Sequence, residues 1–279
     1  MTGVAVTVVG WRSVVAARRV LDRFNAADGG LLAAGVAYNA ILALIPLGLL
    51  ASGLAGLILT DPTSRAELIL ALARVLPPLA GVVDEIVVGL SRASPSLSLL
   101  GLVLAAWGTS RLFAALESAL AQLDVTGPRR SLARRAARRV GSILALAAFL
   151  VAAVLAAPAL AILAEVSGQA GSARPLLDVL SAIVPPALGG LTLAAVYRLI
   201  PARRATWAII ISPALVGTLA VLLVTRVFVF VTPRLFGANL VYGTLGATLV
   251  ALTWLDLVFT IVLLGGAWVA DRSSTLATD

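Results

Sequence analysis

A chain of 279 residues that is 61% hydrophobic and 12% charged, with a mean hydropathy of +1.07, lies outside the composition of soluble domains. Those run near ~45–50% apolar and ~25% charged. The formal net charge is +8, its 21 basic residues are all arginine, and there is no Cys and no His. These counts exclude disulfides, thiolate catalysis, thiolate metal sites and any role for imidazole.

Residues 1–32 form an N-terminal segment. Val4 to Val9 is too short for the core of a secretory signal, and the basic residues follow it. Trp11 to Phe24 is amphipathic: Arg12, Arg19 and Arg23 share a side with Asp22, and Val14, Leu21 and Phe24 lie opposite. A cytoplasmic or interfacial helix is expected there. After the Asp28-Gly29-Gly30 break come six apolar stretches, at about 33–59, 97–119, 141–164, 176–199, 207–231 and 243–268. Each supplies the ~20 residues that cross ~30 Å of hydrocarbon. Pro46 is expected to kink the first and Pro213 lies within the fifth. The fold class read from this pattern is all-α, a polytopic membrane helix bundle of six transmembrane helices spanning 33–270. Residues 60–96 hold two short amphipathic helices, Ser64–Leu76 and Leu79–Ala93, divided by Pro77-Pro78. Residues 271–279 form a short tail.

The arginines give the orientation. Arg12, Arg18, Arg19 and Arg23 precede the first stretch, and six arginines fill the basic connection 120–140. Arg198, Arg203 and Arg204 flank the turn between the fourth and fifth. The intervening connections carry few positive charges, so both termini are placed in the cytoplasm. In the basic connection, Arg130, Arg134 and Arg138 make one i, i+4 row, with Arg135 and Arg139 beside it and Arg129 just before. These six read as an anchor to anionic lipid headgroups, or as a docking site for a lipid phosphate or a cytoplasmic partner.

Charges inside the stretches are the functional leads. An ionised Asp256 near the middle of the sixth stretch costs ~2.5–3.5 kcal/mol on insertion scales and must be paired, hydrated or protonated. Arg111 and Glu117 lie in the second, Arg226 toward the outer end of the fifth, and Asp178 near the outer start of the fourth. Arg111 and Asp256 are expected to face a shared polar cavity as an ion pair, or to form a buried pair that fixes packing. Arg226 is expected to pair with Asp178. Asn39 is a further candidate, because an amide in a span needs a partner. Tyr197, Tyr242, Trp207 and Trp268 read as an interfacial aromatic belt, and Gly265 and Gly266 as helix-contact positions.

Four segments in order carry a resemblance. They are Ala34 to Pro46; Trp107-Gly108-Thr109-Ser110-Arg111-Leu112-Phe113; Tyr197-Arg198-Leu199-Ile200-Pro201 with Trp207 beyond; and Tyr242-Gly243-Thr244-Leu245-Gly246 with Trp254-Leu255 and Leu264-Gly265-Gly266-Ala267. The chain resembles the YihY/virulence factor BrkB family of bacterial inner-membrane proteins. It departs from the family at Tyr38-Asn39, where Phe-Tyr is common, at Ala43 in place of Ser, and at Trp268 in place of an acid. The resemblance implies the bacterial cytoplasmic membrane. Suggested activities in the family include transport of lipids or envelope components, and an older label is ribonuclease.

The residues argue against a nuclease or any enzyme. Metal-dependent phosphodiester hydrolysis uses clustered carboxylates or His, and here the carboxylates are scattered, with Asp84-Glu85 the one adjacent pair. No cofactor, metal or nucleic-acid partner is expected, and the partners expected are membrane lipids. Two readings stay open. One is a transporter or flippase of an amphipathic, anionic envelope lipid, which should show a polar cavity reaching one membrane face. The other is a structural scaffold of the cell envelope, which should show a dry bundle and an extended contact surface.

Overall fold

The computed structural model of the chain describes residues 2–58, 96–124, 174–200, 205–236 and 243–275. Six helices account for nearly all of them: α1 Thr2–Ala26, α2 Gly29–Ile58, α3 Ser96–Leu123, α4 Arg174–Leu199, α5 Trp207–Phe236 and α6 Gly243–Thr275. Among the described residues there is no strand. The expected span 141–164, the outer helices within 60–96 and the arginines from Arg129 to Arg139 lie outside the described residues, as does Tyr242. Among the described residues three helices are long and apolar enough to cross a membrane alone: Ala182–Leu199, Trp207–Thr232 and Thr248–Thr275. A fourth crossing is available if the bent pair Val14–Ala26 and Gly29–Ala43 counts as one. The described part of the chain is all helix, with the long apolar helices of a membrane protein.

Helices are what an apolar surrounding dictates, because every backbone polar group must be satisfied within the segment. Side-chain hydroxyls obey the same rule. Thr192, Thr218, Thr225 and Thr253 each donate to the carbonyl four residues back, on Leu188, Ala214, Val221 and Leu249. Among the described residues no buried side-chain nitrogen or oxygen lacks a partner. α2 runs on through Pro46 with no break in the helix.

The sharp turn is the one at residues 27–28. Asp28 adopts φ 52°, and its N–H donates to Asn25 O at 3.0 Å while its own carbonyl accepts from Leu32 N–H at 3.1 Å. A short polar side chain tolerates this left-handed conformation better than a branched one. Gly29 follows because a methyl group there would run into the ring of Phe24. The result is a bend of 66° between α1 and α2. α1 buries Phe24, with Val20 and Ala27 packed beside it, whereas Val14 and Leu21 are exposed. So the side that carries Phe24 splits in two: one strip meets the bundle and the other faces outward.

α6 is the centre, touching each of the other five described helices. Two adjacent glycines permit this. A Cβ on Gly265 would strike the Tyr197 ring of α4, and one on Gly266 would strike Leu120 of α3. Tyr197 is fully buried and its hydroxyl donates to Val262 O at 3.0 Å. The placement of Tyr197 in an interfacial belt is therefore overturned: the ring fills a glycine-lined slot, and its hydroxyl is satisfied by a helix carbonyl. α2 and α3 pack closely at Gly108, where a methyl group would lie 3.0 Å from Ala43 Cα.

The contacts also order the helix ends. Leu120 meets Gly266, Tyr197 meets Gly265, and Arg272 of α6 donates to Ser212 of α5 at 2.7 Å. Arg23 of α1 donates to Ser274 of α6 at 3.3 Å. The α1–α2 junction, the C-terminal ends of α3, α4 and α6, and the N-terminal part of α5 thus gather at one end of the bundle. Arg18, Arg19, Arg23, Arg198 and Arg272 lie there.

Replacing Gly265 with Ala is expected to destabilise the protein by ~1–3 kcal/mol through overpacking against Tyr197. Tyr197→Phe, which loses one hydrogen bond, should cost ~0.6–1.7 kcal/mol. Thermal melting of the detergent-purified protein measures both; a Gly265→Ala protein melting with the wild type would disprove the slot.

Candidate functional site

One apolar cluster defines a layer across the bundle. Ala37 and Ala40 of α2 meet Ala251, Trp254 and Leu255 of α6, with Leu112 of α3 and Val224 and Phe228 of α5 packed against them. Four of the residues selected from sequence are chain neighbours of this cluster. Asn39 precedes Ala40, Arg111 precedes Leu112, Arg226 lies between Val224 and Phe228, and Asp256 follows Leu255. At 1.5 Å per residue they stand about 16 to 28 Å from the arginine-rich end, a distance that corresponds to the middle and far part of a ~30 Å hydrocarbon core if that end lies at the membrane surface.

The layer's centre is apolar, and its polar members point away from it. Successive helix residues point about 100° apart, so the neighbour of an inward residue faces sideways. Arg111 is exposed, with its guanidinium 5.0 Å from the centroid of the exposed Trp107 ring. Arg226 is exposed on α5, on a side it shares with exposed Leu219, Leu223, Val227 and Phe230. Asn39 is half-buried and donates to Gly35 O at 2.8 Å. Asp256 is half-buried, flanked one turn either way by Thr253 and Thr260.

Among the described residues no ion pair joins Arg111 to Asp256. The expected pairing fails for a geometric reason: apolar side chains hold the interior between them, and Arg111 lies over Trp107. The expected partner of Asn39 is the carbonyl one turn back in its own helix. Glu117 is half-buried nearer the C-terminal end of α3, and Asp178 lies in the first turns of α4 with its side chain outside those described. Its pairing with Arg226 therefore falls outside as well. Thr225 joins the layer unforeseen, accepting from Trp254 Nε1 at 3.1 Å.

A second polar group closes the arginine-rich end. Asp271 of α6 is buried, and its carboxylate lies 3.8 Å from Arg19 of α1. An acid in the last turns of a helix meets the negative end of the dipole, so it needs this cation. Ser274, which accepts from Arg23, donates to Asp271 O at 2.7 Å. Arg198 donates to Ala205 O at 2.9 Å and stacks at 4.6 Å on Trp207, and Arg272 stacks at 5.2 Å on Trp268. Asp271 carries one signal in the sequence, an acid next to an arginine at the C-terminal end of a long apolar stretch. The apolar stretch itself stops at residue 268, whereas the helix continues to Thr275.

The family model described as virulence factor BrkB matches residues 20–277. The chain belongs to the virulence factor BrkB family. No curated protein and no solved structure matches it. The BrkB match begins within α1 and runs past the end of α6, so it takes in the polar layer and Asp271, while Arg19 stands one residue before it. In this BrkB chain Trp268 stands before the last turns of α6, and the acid that meets an arginine is Asp271, three residues on.

Double-mutant cycles separate the two polar places. Arg19→Ala with Asp271→Ala should show a coupling of ~0.2–1 kcal/mol in thermal stability that fades at high salt. Arg111→Ala with Asp256→Ala should be additive within ~0.5 kcal/mol. A larger coupling in the second cycle would restore the ion pair.

Proposed function

We propose that this BrkB-family protein moves an amphipathic, anionic envelope lipid across the bacterial cytoplasmic membrane, with the headgroup passing along the outward polar layer. The observation that carries the reading is the placement of Arg111 and Arg226. Both are exposed, both stand in the middle or far part of the apolar thickness, and both share a level with Asp256 and Asn39. A cation at such a depth costs ~2.5–3.5 kcal/mol on insertion scales unless it is hydrated, paired or able to snorkel. A lipid phosphate passing along these side chains would offset that cost with charge-assisted hydrogen bonds. The Arg111 guanidinium lies 5.0 Å from the Trp107 ring centroid, a cation–π contact that does not use up its N–H groups.

The same reading fixes a topology of six crossings with both termini in the cytoplasm. Its support is the gathering of Arg18, Arg19, Arg23, Arg198 and Arg272 at one end, which the positive-inside rule assigns to the cytoplasm. α3 ends there beside Gly266, while α4, roughly 38 Å long, starts at the other end. The connection 125–173 must then cross once, and its apolar part 141–164 is the candidate.

One observation favours the scaffold reading instead. The centre of the polar layer is filled by Ala37, Ala40, Ala251, Trp254 and Leu255, which leaves no polar path through the described helices. Reconstitution decides between the two. Proteoliposomes carrying labelled anionic phospholipid should show lipid movement between leaflets, reduced about tenfold or more in an Arg111→Ala, Arg226→Ala double variant that inserts and melts normally. No movement with the wild type across a set of anionic envelope lipids would remove the transport reading and leave the scaffold.

A further inference from the structure

α1 has three strips along its described length, and the bundle accounts for one. Val20, Phe24 and Ala27 pack on the core beside α6, and Arg19 and Arg23 reach Asp271 and Ser274. A second strip is apolar and open: Val14 is 67% exposed and Leu21 50%, with Ala17 exposed between them. At i, i+3 and i+7 these three share one side of the helix. The third strip carries exposed Arg18 and Asp22, with Val15, 40% exposed, at its N-terminal end.

We infer that α1 lies on the cytoplasmic leaflet, with Val14, Ala17 and Leu21 among the acyl chains and Arg18 at anionic headgroup phosphates, while its opposite side stays docked on α6. Three observations select a lipid surface as the occupant of the open strip. The bend of 66° at Asp28 turns α1 away from the axis of α2, toward the membrane plane if α2 crosses. The strip is bordered by arginine, and the whole chain carries +8, which complements an anionic leaflet. The third is compatibility: the arginines that hold α6 do not belong to the lipid strip, so docking on the bundle and insertion into the leaflet occur together. An amphipathic helix of this kind buries its apolar side ~5–10 Å into the interface. The inference depends on the membrane reading but not on lipid movement, and holds equally for a scaffold.

The chain has no Cys, so single labels can be placed without background. Val14→Cys, Leu21→Cys and Asp22→Cys variants of the full chain are spin-labelled and placed in nanodiscs of phosphatidylcholine, with and without phosphatidylglycerol. Collision accessibility to oxygen and to a water-soluble nickel chelate is then measured. Labels at 14 and 21 are expected to be oxygen-accessible and several-fold shielded from nickel, with the reverse at 22. Phosphatidylglycerol should deepen the contrast, and Arg18→Ala should remove that increase. Equal nickel access at 14, 21 and 22 overturns the inference. So does spin–spin broadening at position 14, which would mean that a second copy covers the strip, and so does a contrast indifferent to phosphatidylglycerol.

Discussion

Two adjacent residues without side chains, Gly265 and Gly266, let α6 receive a tyrosine on one side and a leucine on the next. Between helices in lipid there is no hydrophobic drive, because the tails are as apolar as leucine, so association rests on close packing and a few hydrogen bonds. The Tyr197–Gly265 slot supplies both. It seats a large ring against bare backbone and adds a bond from its hydroxyl to Val262 O. Because Leu120 meets Gly266 at the same height, the slot also sets the level of α3 against α6. The position of every residue farther along these helices follows from that starting register, including the layer that holds Arg111 and Asp256.

That layer shows why charge within a span is not the same as charge within a bundle. Its interior is taken by alanines, Trp254 and Leu255, which allow α2 and α6 to approach closely. Close approach excludes long polar side chains from the interface and displaces them by one residue, hence sideways. Arg111 and Arg226 therefore reach the outer surface of the described helices, at a depth where hydrocarbon, water or another polar surface decides their energy. Trp107 softens the problem for Arg111, since a ring face offers a cation some of the electrostatics of an anion. The layer favours a ligand approached from the side over one enclosed at the centre.

Helix positions were largely legible in the sequence, since long apolar runs have few alternatives. α2, α3, α4 and α5 begin within about four residues of the starts read from composition, and α6 begins at Gly243 as read. Ends were less legible, because apolarity stops at the interface while a helix need not: α6 runs on to Thr275 and α5 to Phe236. Which side of each helix faces inward was hardly legible at all. In helices that are apolar all round, no stripe marks the inner side. Depth alone therefore suggests a pairing of Arg111 with Asp256, and a position at a span end suggests a belt role for Tyr197, and neither matches the side that the residue presents. The glycine pair was the readable exception, because two glycines in a helix interior cost stability unless a neighbour needs the space.

α6 carries two acids, and the contrast between them separates structural work from functional promise. Asp271 has Arg19 at 3.8 Å and lies among the groups that tie α1 to the bundle. Its charge is offset where it stands, and its removal loosens a contact. Asp256 stands about 22 Å away along the same helix, half-buried and with no ion-pair partner among the described residues. An ionised acid in the middle of an apolar helix with no offsetting cation among the described residues is costly. Its neighbours Leu255 and Trp254 fill the interior of the layer. What remains is water or a polar group that meets Asp256 from the side, on the surface where Thr253 and Thr260 add hydroxyls one turn away in each direction. Asp256 thus adds an acid without an ion-pair partner among the described residues to the exposed Arg111 and Arg226 of the same layer, and all three are met from the side.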